Sequence, residues 1–70
     1  MQIVDIIENH EKKLISHYKN IGSPKLGYTV VHTLKQKVDY HVAQSPSEDW
    51  NTVYLKELSE TIADHGIKIQ

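Results

Sequence analysis

The sequence predicts an α+β fold in which two amphipathic helices pack on a small antiparallel sheet, in the order α-β-β-α-β. Two observations carry this prediction. Apolar residues recur with helical spacing near both ends of the chain, whereas the middle is rich in the β-branched and aromatic residues that favour strands. The middle also fits a helix, so an all-α three-helix bundle is the alternative. At 70 residues the chain is predicted to form a single domain, residues 1–70.

The clearest helix extends from Ser47 to Ile67. Ser47 is a suitable N-cap because its hydroxyl can accept a hydrogen bond from a free backbone N–H of the first turn. Gly66 can adopt the left-handed conformation that ends a helix, and Ile67 can then pack back as the apolar residue of a Schellman motif. One face of this helix is apolar and is predicted to be buried, and its members are Trp50, Tyr54, Leu55, Leu58 and Ile62.

A second amphipathic helix is predicted over residues 2–20, with Ile3, Ile7, Leu14 and Tyr18 on its apolar face. Glu11 falls inside this apolar stripe. A carboxylate there either reaches past its neighbours to water or finds a partner, because burying it unpaired is costly.

The middle of the chain is predicted to form a β-hairpin after a turn-rich connector, residues 20–27, in which Gly22 ends the first helix. The strands are placed at residues 28–34 and 38–43 and are joined by a three-residue loop, Lys35-Gln36-Lys37. That loop contains no Gly, Asn or Asp, which counts against the hairpin. A short third strand is predicted at residues 67–69.

Composition restricts the compartment and the partners. The chain has no cysteine, which excludes thiolate metal sites and disulfides and fits a cytoplasmic location. No apolar run reaches the ~20 residues of a membrane span, so no membrane association is expected. So short a chain buries a small core, and we therefore expect a homo-oligomer, most simply a dimer.

The sequence predicts neither a metal site nor an enzyme, and no cofactor is expected. Five histidines are present, but His10 and His17 are seven residues apart, ~10.5 Å along a helix, which is too far to share one ion. Ser16 and Ser59 lack a positioned base with an orienting group, which nucleophilic catalysis requires.

An acidic ridge lies beside the core stripe of the last helix and comprises Asp49, Val53, Glu57, Glu60 and Asp64. It is either a solvated face or a docking surface for a basic protein partner. The aromatic residues Tyr28, Tyr40, Trp50 and Tyr54 are expected in the core, and any of them left exposed would be a contact residue. The predicted function is a small, non-enzymatic, oligomeric binding protein that occupies a protein partner. Such a modulator or inhibitor resembles in format those carried by phages and mobile elements.

The alternative function is binding of nucleotides or nucleic acid through the lysine-rich middle and the Gly22–Gly27 loop. The candidate anion-binding residues are Ser23, Lys25, Tyr28, Lys35 and Lys37. Every basic side chain other than histidine is a lysine, which disfavours sequence-specific reading of DNA because arginine makes the bidentate contacts to guanine.

Overall fold

The computed structural model describes residues 2–67 and contains three helices in that range, with no strand. Helix α1 spans Ile3–Asn20, α2 spans Pro24–Gln44 and α3 spans Trp50–Asp64. The prediction of an α+β fold with a sheet is therefore wrong, and the all-helical alternative agrees with the structure. Of the third strand predicted at 67–69, only Ile67 lies within the described residues, and it is not a strand.

The predicted hairpin is instead the middle of α2. Residues 35–37, assigned to the hairpin loop, lie within this helix. Val31, Leu34 and Val38 recur at helical spacing and are buried against the other helices. A valine in a helix costs about 0.5 kcal/mol relative to alanine, whereas burying such a side chain contributes about 1.5–3 kcal/mol. Packing therefore outweighs the strand preference of the β-branched residues.

Schellman motifs terminate α1 and α3. Gly22 and Gly66 adopt positive φ angles of 85° and 71°, which glycine tolerates best. After α1 the backbone N–H of Ser23 donates to the carbonyl of Tyr18, and after α3 that of Ile67 donates to the carbonyl of Ile62. Both glycine stops predicted from sequence are confirmed.

The start of α3 differs from the prediction by three residues. Asp49, rather than Ser47, is the N-cap, and its Oδ2 accepts hydrogen bonds from the backbone N–H and the hydroxyl of Thr52, each at 3.0 Å. Residues 45–49 connect α2 to α3, so the helix begins only where Asp49 can cap it.

Each helix contributes three hydrophobic side chains to one core. They are Ile7, Leu14 and Tyr18 from α1, Val31, Leu34 and Val38 from α2, and Tyr54, Leu58 and Ile62 from α3. The buried faces predicted for the first and last helices are confirmed, with Ile3, Trp50 and Leu55 partly buried at the margin.

The helices run up, down and up. Gly27 at the start of α2 lies against Ile15 and Tyr18 near the end of α1, so α1 and α2 are antiparallel. His65 after α3 hydrogen-bonds Tyr18, and Tyr54 earlier in α3 hydrogen-bonds Glu11, so α3 runs parallel to α1. This order places the second half of α2 beside the first half of α3.

Candidate protein-docking surface

A groove of about 490 Å³ lies between the second half of α2 and the first half of α3. Val38, which is fully buried, and Val53, which is partly buried, contribute apolar side chains to it. The remaining lining residues are Thr33, Gln36, Lys37, Tyr40, His41, Gln44 and Glu57. An apolar floor with a polar margin suits an apolar side chain of a bound molecule.

Tyr40 is an exposed aromatic side chain of the groove, with 70% of its surface accessible. The prediction that Tyr28 and Tyr40 belong to the core is wrong, because α2 directs both away from α1 and α3; Tyr28 is 61% exposed. Tyr54 is buried as predicted. An exposed tyrosine beside an apolar floor is typical of a contact residue, since its ring buries a large area on binding.

Two polar side-chain pairs lie at the groove margin. Lys37 Nζ lies 4.0 Å from Glu57 Oε2 and links α2 to α3. His41 Nε2 lies 3.0 Å from Glu48 Oε2 in the connection between the helices. Both pairs are solvent-exposed or nearly so, and such pairs contribute only about 0–1 kcal/mol, so a ligand can displace them at small cost.

The five residues of the predicted acidic ridge divide into three groups. Asp49 is occupied as the N-cap of α3. Val53 and Glu57 line the groove. Glu60 and Asp64 are exposed further along α3, and no residue within 2–67 forms a salt bridge with either of them. The ridge and the groove therefore meet at Val53 and Glu57.

The five candidate anion-binding residues do not converge. The supposed loop is largely helical, because α2 begins at Pro24 with Ser23 as its N-cap. Lys35 lies ten residues beyond Lys25, about 15 Å along the helix, and the side chains of Lys35 and Lys37 diverge by roughly 160° around it. Lys35 pairs with Glu11 at 3.5 Å, and Lys37 pairs with Glu57. Tyr28 and Lys25 lie exposed near the start of α2.

A polar contact within the bundle connects all three helices. The Tyr54 hydroxyl donates to the carboxylate of Glu11, and Lys35 pairs with the same oxygen. Glu11 thus has two partners, which is the paired alternative proposed from its place in the apolar stripe. Burial, the hydrogen bond to Glu11 and the negative charge of that carboxylate, in this order, raise the pKa of Tyr54 well above its ordinary value.

Trp50 extends this contact toward α2. Its indole Nε1 donates to Asp39 Oδ1 at 2.6 Å, and its ring packs on that of Tyr54 with 4.9 Å between centroids. Sequence reasoning missed the hydrogen bond to Asp39 because it requires α2 to be a helix. These side chains connect α3 to α1 and α2.

The histidines are dispersed. His65 Nδ1 lies 2.8 Å from the carbonyl oxygen of Thr61, so this nitrogen carries the proton, and Nε2 pairs with the Tyr18 hydroxyl. The ring of His17 lies 6.5 Å from that of His65, centroid to centroid. In the described part of the chain, no three His, Asp or Glu side chains are placed to hold a metal ion.

No model of a known protein family matches the chain, and neither a curated protein nor a solved structure is detectably similar to it. Of the helices in the described range, none combines the length and the hydropathy needed to cross a membrane.

Proposed function

We propose that the protein is a small, non-enzymatic binding protein that docks a protein partner in the groove between α2 and α3. The observation that carries this proposal is the junction of an apolar groove with the acidic ridge at Val53 and Glu57. Its proposed setting is the cytoplasm, in keeping with a chain that contains no cysteine.

The chemistry of the groove indicates which segment a partner would present. Val53 favours an apolar anchor, and Tyr40 can close over it. Glu57 already pairs with Lys37, whereas Glu60 and Asp64 are exposed further along α3 and can meet basic side chains of a partner. A segment with one large apolar residue followed by lysines or arginines fits this arrangement.

The dispersal of the lysines favours protein docking over the nucleotide alternative. Two of the three lysines invoked for phosphate binding already pair with carboxylates, and the third lies about 15 Å away along α2. Phosphate binding by lysine depends on several charges converging on one group, and α2 separates them.

Selection from a display library of random short peptides tests the proposal. We expect the immobilised protein to enrich peptides that combine a large apolar residue with lysine or arginine. Glu60→Lys with Asp64→Lys should weaken binding of a selected peptide at least tenfold, because both carboxylates are exposed and reversal replaces attraction with repulsion.

Glu8→Lys with Asp5→Lys is the matched control, because it reverses two exposed carboxylates on α1. Equal binding of selected peptides to the ridge variant and to the wild type would contradict the proposed site. A melting shift caused by nucleotides and abolished in Lys25→Ala would support the nucleotide alternative instead.

A further inference from the structure

The face of α2 that points away from the core carries no charged residue over six positions. These positions, which we call the α2 seam, are Leu26, Thr29, Thr33, Gln36, Tyr40 and Ala43. All six are exposed, and Leu26 and Tyr40 retain 46% and 70% of their accessible surface. These six positions carry no charge, in a chain in which 24% of residues are charged.

The spacing of the seam is that of a helix–helix contact. Its members alternate steps of three and four residues, an average of 3.5, which keeps them on one side of a helix facing a partner helix. From Leu26 to Ala43 the seam extends for about 25 Å. The core face of α2, with Val31, Leu34 and Val38, lies on the opposite side and is already covered by α1 and α3.

We infer that the α2 seam binds the α2 seam of a second copy of this chain, in an antiparallel pair with its two-fold axis between Leu34 and Lys35. This register places Leu26 against Ala43 of the partner subunit and Tyr40 against Thr29 of the partner subunit. Thr33 then meets Gln36 of the partner subunit at the centre. Each layer combines a larger with a smaller side chain, so the two surfaces can interdigitate, and the central pair can hydrogen-bond.

Polar side chains beside the seam favour this direction. In the antiparallel register His32 lies beside Asp39 of the partner subunit, separated by about 3 Å along the axis, and Asp39 has Oδ2 available because Trp50 uses Oδ1. On the other side, the aliphatic part of Lys37 covers Val30 of the partner subunit. A parallel pair would instead place Tyr40 on Tyr40 of the partner subunit and His32 beside Lys37 of the partner subunit. It would lose the pairing of larger with smaller side chains and the contact of His32 with Asp39 of the partner subunit.

This dimer does not depend on the proposed function, because it forms between two copies of the chain and involves no other partner. It has a consequence for the groove, because Thr33, Gln36 and Tyr40 belong to both surfaces. A second copy would therefore cover one wall of the groove. One pair of helices buries less than the roughly 800 Å² per partner of a standard interface, so we expect a dimer that dissociates on dilution.

Sedimentation over a wide dilution series measures this equilibrium. The wild type should shift from dimer to monomer as it is diluted, and Tyr40→Lys should raise the dissociation constant at least tenfold by placing a cation in the seam. Ser16→Lys, an equivalent exposed position on α1, should leave it unchanged. A wild type that is monomeric at every concentration, or a dimer that persists in Tyr40→Lys, would overturn the inference.

Disulfide trapping tests the direction of the helices, because the chain contains no native cysteine. Leu26→Cys mixed with Ala43→Cys should give a disulfide-linked heterodimer under mild oxidation, since the two positions face each other in the antiparallel register and bond formation requires Cα atoms about 4.4–6.8 Å apart. Leu26→Cys alone should remain largely uncrosslinked, because its two copies lie at opposite ends of the pair. Efficient trapping of Leu26→Cys with itself would contradict the antiparallel arrangement.

Discussion

Helices α1 and α2 present similar faces to the core and very different faces to solvent. Each buries three apolar side chains at helical spacing. The outward positions of α1 follow the same steps of three and four as the α2 seam but include charges, at Asp5, Lys12 and Lys19. The α2 seam carries threonine, glutamine and tyrosine instead. The core therefore explains the inner faces of both helices, and a second copy of the chain is the partner that we propose for the outer face of α2.

The largest expected losses of stability come from truncating core side chains, and they should be similar in α1 and α2. Leu14→Ala in α1 and Leu34→Ala in α2 should each lower the free energy of unfolding by about 2–5 kcal/mol, because both side chains are buried and truncation leaves a cavity. Chemical denaturation measures both. The outward changes Ser16→Ala and Gln36→Ala should stay within about ±0.5 kcal/mol. A Leu34→Ala cost as small as that of Gln36→Ala would show that α2 does not pack as described.

The next effect concerns the contact that joins α1 and α2 through α3. Tyr54→Phe removes the hydroxyl that donates to Glu11 and should cost about 1.5–3 kcal/mol, the range for hydrogen bonds to charged groups. The raised pKa of Tyr54 means that the folded state retains a proton that the unfolded state loses near pH 10, so this stabilisation is present below about pH 10 and declines as pH rises further.

Urea unfolding at neutral and at alkaline pH measures how far the free energy of unfolding declines as the pH rises. The alkaline decline should be smaller in Tyr54→Phe than in the wild type. Tyr40→Phe, at an exposed tyrosine, is the matched control and should retain the full decline. An identical pH dependence in all three proteins would contradict the raised pKa of Tyr54 in the folded state.

The smallest expected effect on stability comes from introducing alanine on each face of α2, at Gly27 on the inner face and at Thr29 on the outer face. A Cβ on Gly27 would lie 3.2 Å from the Ile15 Cα and 3.2 Å from the Tyr18 Cβ, where the α1 backbone cannot easily give way. Gly27→Ala should therefore destabilise by about 1 kcal/mol, since crowding of roughly 1–3 kcal/mol exceeds the helix-propensity gain of up to about 1 kcal/mol. Thr29→Ala, on the exposed seam, should stabilise by a few tenths of a kcal/mol. Thermal unfolding compares the two, and stabilisation by Gly27→Ala would contradict the close α1–α2 contact.

The contrast between α1 and α2 also explains what could be predicted from sequence. Charged outward residues made the amphipathicity of α1 plain, and its predicted bounds, 2–20, differ from Ile3–Asn20 by one residue. In α2 the uncharged seam removed the polar contrast, so residues 28–43 fitted strand and helix alike. Residue type then favoured strands, because tyrosine, valine and threonine prefer them in isolation. Burial of Val31, Leu34 and Val38 between two other helices decides the outcome, and that information is not local.

The candidate site, too, could be predicted from the sequence only in part. Membership of Val53 and Glu57 in an outward ridge followed from the helical period of α3. The groove that they line could not be predicted from the sequence. Its other wall is formed by α2, where the sequence predicts strands. The sequence places Asp49 in the ridge, whereas in the structure it caps α3. Ser47 and Asp49 are both acceptable N-caps, and only the path of residues 45–49 selects between them.

The arrangement of Trp50 gives this protein a built-in optical reporter. It is the chain's one tryptophan, and its indole is held between Asp39 and the ring of Tyr54 at the boundary of α2 and α3. Its emission therefore responds to separation of these two helices, while excitation transferred from Tyr54 requires the two rings to stay close. The boundary of α2 and α3 carries its own fluorophore, and separation of these helices in the unlabelled protein can be followed by its emission.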